Sequence, residues 1–451
     1  MEKKKKSDDD GRCRPVENKN NKLVMKVIMN NLFRGWMVGI CGSFATDLLR
    51  TLATILGGKA KNPMRTLIRR LKENSPEYKY WGYFMALNMA IFNGMMSEGG
   101  KRVLEFLRKN KIEIQDHYRP MIAGFLSGLA VLALPTYTRP TMALYAGVRA
   151  FAVLVKMAVR RGHLPYFEHA DVLLMSAASS QLMSCFVYSP RYVGETYRKF
   201  LTRQVQFPRP VVHAIGTMAV GEPLSPDLRQ MLGTQSYDDA PYYGTQLLTQ
   251  GQSFAQTIIH FFIRGLSLAV PVYIPVFTIP TLLFTPSLLI RNPGKALRRI
   301  LQGITVSSLF LSAYCTIGIS SILTLRRFAG VRHRVIGNLA LLVGPIAGAL
   351  AGTAVLIDRK SRRSELALFV FAHAVTSIWN FLREKLNRGF PHFDSSFISR
   401  YGDVAIFSTS LGIVMHAFVR YPNMIKRFYS SIMGYLYDQN LLLREEKKRD
   451  I

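Results

Sequence analysis

The sequence predicts an all-α, multi-pass helical membrane protein built from two homologous helical repeats, with about eight to ten membrane segments. Three observations carry this prediction. The chain repeats itself at long range, apolar stretches of near-membrane length recur along it, and its positive charge sits between those stretches. Arg34-Gly35 returns as Arg264-Gly265, and Asn62-Pro63, Leu67, Arg69 and Leu71 return as Asn292-Pro293, Leu297, Arg299 and Leu301. Ile122-Ala123-Gly124, Gly128 and Arg139 return as Ile346-Ala347-Gly348, Gly352 and Arg363. Asp171-Val172, Ser176, Phe186-Val187, Pro190 and Tyr197 return as Asp403-Val404, Ser408, Phe418-Val419, Pro422 and Tyr429. The offset is 230, then 224, then 232, so it changes only between blocks, where a loop can gain or lose residues. Such a period is too long for a solenoid and fits a fused pair of like units, as in many membrane proteins.

Membrane segments are expected at 36–57, 80–100, 119–136, 141–158 and 169–188 in the first repeat. In the second they are expected at 262–286, 303–324, 336–357, 365–382 and 401–420. A hydrocarbon core takes roughly 20 apolar residues per helix. The mean hydropathy of +0.12 averages these stretches with very basic connectors. Around the repeats, residues 1–27 read as a disordered charged cap and 204–255 as a polar, proline-rich linker; 433–451 read as a charged tail. The repeats themselves are placed at 28–203 and 256–432. Five segments per repeat would invert one repeat relative to the other, and four would leave them parallel.

The 59 Lys and Arg against 28 Asp and Glu give a net charge of +31. Nucleic-acid binding would gather that charge on one face with aromatics interleaved. Here it flanks apolar segments, which points to anionic lipid headgroups as partners, with other organelle membrane proteins as further candidates and no nucleic acid. Because successive connectors are all basic, the charge rule sets no orientation. Four scattered cysteines, Cys13, Cys41, Cys185 and Cys315, make neither a disulfide framework nor a zinc spacing.

Two kinds of candidate residue follow. Glycines four apart, Gly124 with Gly128 and Gly344 with Gly348 and Gly352, let helix backbones approach closely in lipid. Polar groups inside apolar segments cost at least ~2–3 kcal/mol each, so they have a purpose. Arg149 and its mate His373, with Asp47, Arg50 and Asn88, are the candidates for an intramembrane polar path; the alternative is internal pairing or snorkelling. Asp47 and Arg50, three apart, can pair on one helix face. The connector PYFEHAD at 165–171 (counterpart PHFDSS at 391–396) brings His163, Glu168, His169 and Asp171 near one another in sequence, in no strong metal pattern. Helix punctuation explains it better, with Pro165 stopping one helix and Asp171 capping the next. No motif of a known catalytic site occurs, so the expectation is a non-enzyme with no cofactor and no metal.

The stretch from IAGFLSGLA through RRGHLPYFEHAD (122–171), together with VLIDRKSRRSELALFVFAHAV (355–375), resembles the recurring blocks of the transmembrane protein 135 family. That family is in turn distantly similar to the Tim17/22/23-type inner-membrane translocases. The resemblance implies a multi-pass protein of peroxisomal or mitochondrial membranes, acting as a scaffold or regulator of organelle dynamics and lipid homeostasis. A transporter or translocation pore between the repeats is the alternative.

Overall fold

The computed structural model describes residues 14–56, 72–97, 99–102, 115–205, 253–284, 290–330, 342–390 and 397–437, with a few isolated positions between these runs. Among them there is no strand, and the chain folds as an all-α, multi-pass helical protein. Among the described residues twelve helices of ten residues or more carry it. The first repeat supplies α1 (Arg14–Leu56), α2 (Ser75–Met96), α3 (Arg119–Gly128), α4 (Arg139–Arg160), α5 (Ala170–Tyr188) and α6 (Glu195–Val205). The second supplies α7 (Phe254–Phe284), α8 (Pro293–Gly330), α9 (Val343–Gly352), α10 (Lys360–Gly389), α11 (Phe397–Arg420) and α12 (Arg427–Leu436). The correspondence is one to one, and it extends to irregular turns. A 3-10 turn at Leu129–Ala133 follows α3 and one at Thr353–Ile357 follows α9. Another pair, Pro190–Tyr192 and Pro422–Met424, follows α5 and α11.

Local chemistry explains where several helices start and stop. Proline stands in the first turn of α2, α3 and α4, where its missing N–H is no loss. Ahead of α7, Ser253 Oγ accepts from Gln256 N while Ser253 N donates to Gln256 Oε1, a reciprocal cap. Helix α4 ends at Gly162, whose φ of +75° turns the chain left-handed. His163 N then reaches Ala158 O at 2.9 Å and Gly162 N reaches Val159 O. So Gly162, not Pro165, stops this helix. Asp171 likewise lies inside the first turn of α5, after the N-cap His169, and accepts from Val172 N at 3.0 Å. Helix α1 begins at Arg14, inside the stretch 1–27 expected as a charged cap, whose first thirteen residues lie outside the described residues. Pro15 is tolerated in its first turn, and neither Gly nor Pro interrupts the chain again before Gly35.

Among the described residues six helical stretches are long and apolar enough to cross a membrane: 139–160, 170–188, 254–278, 293–325, 360–389 and 400–420. The apolar stretch Val343–Ile357 is shorter. The remaining expected segments lie in α1 and α2 and in the ten-residue α3 with its 3-10 extension. The outside of the spanning helices is apolar, with Ile263 61% and Leu173 61% exposed, whereas Ser127, Ser179, Ser307, Ser377 and Ser408 are fully buried. Large apolar groups outside and small polar ones inside suit a hydrocarbon solvent, where helices associate through close packing and hydrogen bonds. The protein is therefore a multi-pass membrane protein.

The compact units of the fold cut across the repeats. One unit comprises residues 1–165 and 395–451, the other 166–394. The first therefore holds α1–α4 completed by α11 and α12, and the second holds α7–α10 completed by α5 and α6. The chain changes unit at Pro165 and at Asp394, within the PYFEHAD and PHFDSS connectors. The former is described; 391–396 lies outside the described residues.

Glycine makes each completion possible. A Cβ on Gly124 would sit 2.9 Å from Gly412 Cα, and one on Gly128 would sit 2.5 Å from Ser408 Cα, both in α11. In the other unit a Cβ on Gly348 would sit 2.7 Å from Ser180 Cα, and one on Gly352 would sit 2.7 Å from Ser176 N, both in α5. Gly412 and Ser180 are repeat mates, as are Ser408 and Ser176, so one contact is made twice. Gly344 meets α5 as well, against Ser184 Cα at 3.1 Å. A side chain at these backbone contacts must push two helices apart, an overpacking cost of ~1–3 kcal/mol. Gly128→Ala and Gly352→Ala should each lower the melting temperature of the detergent-solubilised protein by a similar amount. Gly402→Ala in α11, with nothing within 4 Å, should leave it unchanged or raise it. A thermal-shift series at matched expression reads all three.

Candidate functional site

Two of the candidate site residues, Arg149 and His373, sit where a borrowed helix meets its host. Within the first unit, Arg149 of α4 faces Tyr429 of α12, donating from Nη2 to the phenol oxygen at 2.8 Å with its guanidinium 4.7 Å from the ring centroid. Within the second unit the mates meet in the same way. His373 of α10 stacks on Tyr197 of α6 with ring centroids 4.2 Å apart and planes 15° apart. A further pair repeats two turns on. Lys156 Nζ donates to Met424 O at 3.0 Å, and its mate Asn380 donates to Tyr192 O at 2.9 Å. Thus each borrowed 3-10 turn is stitched to its host helix through a backbone carbonyl. The cation–π and stacking contacts hold a polar group inside an apolar helix at reduced cost.

The other members of the expected polar path have partners of their own in the first unit. Asp47, buried in α1, accepts from Asn74 Nδ2 and from Tyr78 O–H, each at 2.9 Å. Asn88, buried in α2, donates to Ser127 O at 2.9 Å and accepts from Tyr437 O–H. Ten residues of helix, about 15 Å, separate Tyr78 from Asn88, so these two groups do not meet. Arg149 shares their unit, and His373 belongs to the other. The side chain of Arg50 lies outside the described residues.

Two arginines at equivalent places close the short helices. Arg139 donates from Nε to Leu134 O at 2.9 Å and from Nη2 to Leu132 O at 2.8 Å. Arg363 does the same to Asp358 O and Leu356 O, at 2.9 and 2.8 Å. These carbonyls end the 3-10 turns after α3 and α9, where the helix leaves acceptors unsatisfied and its dipole is negative. Arg119 performs a similar closure on α2, donating to Met95 O and Ser97 O.

Sequence reasoning passed over Asp358, which is 1% exposed and lies in the DRKSRR block. Its carboxylate accepts from Arg359 N at 2.7 Å and from Ser307 Oγ at 3.4 Å, with Arg362 at 3.8 Å. Arg362 in turn donates to Ser307 Oγ at 2.6 Å and lies over the Phe277 ring. The repeat mates of Asp358 and Arg362 are Leu134 and Thr138, so this charged cluster belongs to one unit only. A comparison of the two repeats position by position would have found it.

In the PYFEHAD connector, Glu168 pairs with Lys360 at 2.9 Å, and that ammonium holds its carboxyl below the usual range. Among the described residues no group of three or more His, Cys, Asp and Glu is placed to hold a metal ion. The arrangement stitches helices and closes their ends. No protein-family profile matches the chain, and no solved structure matches it.

A lysine at position 139 or 363 keeps the charge but offers one donor point where the guanidinium offers a fork to two carbonyls. Arg139→Lys and Arg363→Lys should therefore each destabilise the protein by about 1–2 kcal/mol. Arg388→Lys, at an exposed pair with Glu384, should be neutral. Parallel melting curves in one detergent check the comparison.

Proposed function

We propose that this multi-pass membrane protein is a scaffold or regulator of peroxisomal or mitochondrial membranes, of the transmembrane protein 135 type, serving organelle dynamics and lipid homeostasis. The observation that supports this reading most is the engagement of the polar groups within the helices. Asp47, Asn88, Arg149 and His373 each meet a partner inside their own unit. Helix-end carbonyls, which in transporters coordinate coupling ions, here receive Arg139 and Arg363. The two sequence blocks shared with that family carry the organelle and lipid part of the reading, and the function is not enzymatic.

A second reading is a transporter or translocation pore for a lipid, a metabolite or a polypeptide. The internal repeat and the broken helices α3 and α9 favour it. Fractionation and reconstitution separate the two. The scaffold reading predicts that the protein stays in the pellet after alkaline carbonate extraction and co-sediments with peroxisomal or mitochondrial markers. It also predicts that sealed proteoliposomes take up no more solute or peptide than empty ones. Release into the supernatant, or a nuclear or secretory location, would overturn the organelle-membrane reading. Uptake abolished by Arg149→Ala or His373→Ala would establish the transporter.

A further inference from the structure

Repeat mates that differ in chemistry mark what one unit does beyond holding itself together. The sharpest such difference lies at the ends of α4 and α11 in the first unit. There His416 is 7% exposed, and its Nδ1 has no hydrogen-bond partner. The His117 ring lies 5.0 Å from it, centroid to centroid, and the rings of Tyr421 and Tyr118 lie at 5.9 and 6.1 Å. The cations Arg420 and Arg161 act on the same imidazole. Arg420 reaches Asp116 O at 3.3 Å with Nη2, while its buried Nε is also without a partner. At the equivalent place in the second unit the chain has Ser184 for His416 and Tyr188 for Arg420. Those groups close on themselves: Ser184 Oγ donates to Ser180 O at 2.7 Å, and Tyr188 O–H accepts from Gly344 N at 3.0 Å. The fold therefore does not need an imidazole and a guanidinium at these two positions.

We infer that His416, Arg420, Arg161 and His117 form a binding site for a phosphate group, presented by an anionic lipid headgroup or by free phosphate. Two unpartnered buried nitrogens, on an imidazole and a guanidinium, are groups that a phosphate oxygen would satisfy. Arg161 is exposed and Tyr118 is 48% exposed, so the cluster opens outward on that side. It stands where the spans 139–160 and 400–420 end, at the depth of headgroup phosphates. Tyr118 and Tyr421 supply the amphipathic rings that settle at that boundary. The headgroup form of this proposal rests on the membrane reading above; the phosphate chemistry does not.

The test uses the full-length protein, purified in neutral detergent and stripped of lipid. Phosphatidylglycerol, phosphatidylcholine and inorganic phosphate are each titrated, with bound lipid read by native mass spectrometry and stability by melting temperature. Wild type should retain phosphatidylglycerol over phosphatidylcholine, and Arg161→Gln, Arg420→Gln and His416→Gln should each weaken that retention about tenfold or more. Lys385→Gln removes the same charge at the mate of Arg161 and should leave retention unchanged. Should His416→Gln fail to fold, the exposed Arg161→Gln decides alone. Stabilisation by inorganic phosphate that is lost in Arg161→Gln would identify free phosphate as a ligand, and its absence beside lipid retention would identify the headgroup. Equal retention in all variants, equal loss in Lys385→Gln, or no preference over phosphatidylcholine together with no phosphate stabilisation that Arg161→Gln removes, would overturn the site. The membrane reading would stand or fall separately, by carbonate extraction.

Discussion

Everything in this fold depends on two helix backbones touching where glycine leaves room. At Gly128 against Ser408, and again at Gly352 against Ser176, a Cβ would lie inside the neighbouring backbone. In hydrocarbon no hydrophobic force draws helices together, so such approach supplies the dispersion contact that holds them. The same approach buries the serines Ser179 and Ser408 at the seam and leaves Ile263 and Leu173 outside to meet lipid. Because each contact joins a helix of one repeat to a helix of the other, neither repeat completes a unit alone. Packing, topology and the choice of lipid-facing surface therefore share one cause.

The exchange explains why so many small interactions come in pairs. Arg139 and Arg363 close α3 and α9 on the same two carbonyl positions, at the same distances of 2.9 and 2.8 Å. Lys156 and Asn380 reach equivalent turn carbonyls with different side chains. Arg149 and His373 hold equivalent tyrosines, Tyr429 and Tyr197, by different forces, one through cation–π contact and a hydrogen bond, the other through ring stacking. Geometry has been kept while chemistry has drifted. Where the chemistry departs altogether, as at Asp358 in one unit and at His416 in the other, the departure signals a task that the shared scaffold does not require.

The repeat and the all-α class were legible in the sequence because both are written in the order and spacing of residues. Arg34-Gly35 and Arg264-Gly265, or Ser176 and Ser408, need no structure to be matched. The exchange of α5 and α11 was not legible, and the reason is symmetry. Ser176 and Ser408 suit Gly128 and Gly352 equally, so side-chain complementarity does not tell which glycine faces which serine. Helix ends were partly hidden too: Gly162 stops α4 through its left-handed backbone, a property that a glycine in a basic run does not announce. The polar residues of the path were identifiable as unusual, yet their partners were not, since Tyr429 and Tyr437 lie about 280 and 350 positions away. His416 escaped notice as one polar residue in an apolar helix, and only the contrast with Ser184 brings it out.

The central claim, that each unit is completed by a helix from the other repeat, can be read with a pair of cysteines. Gly147 of α4 and Ser410 of α11 face each other, with a Cβ on Gly147 lying 3.7 Å from Ser410 Oγ. Two side chains that meet in this way are close enough for a cross-link to report on their pairing. With the four native cysteines replaced by serine, Gly147→Cys with Ser410→Cys should form an intramolecular disulfide in native membranes under mild oxidation. The partner that a self-contained first repeat would offer to Gly147 is Ala178, the mate of Ser410. A disulfide in the Gly147→Cys, Ala178→Cys protein, with none in the first pair, would contradict the exchange and with it this account of the fold.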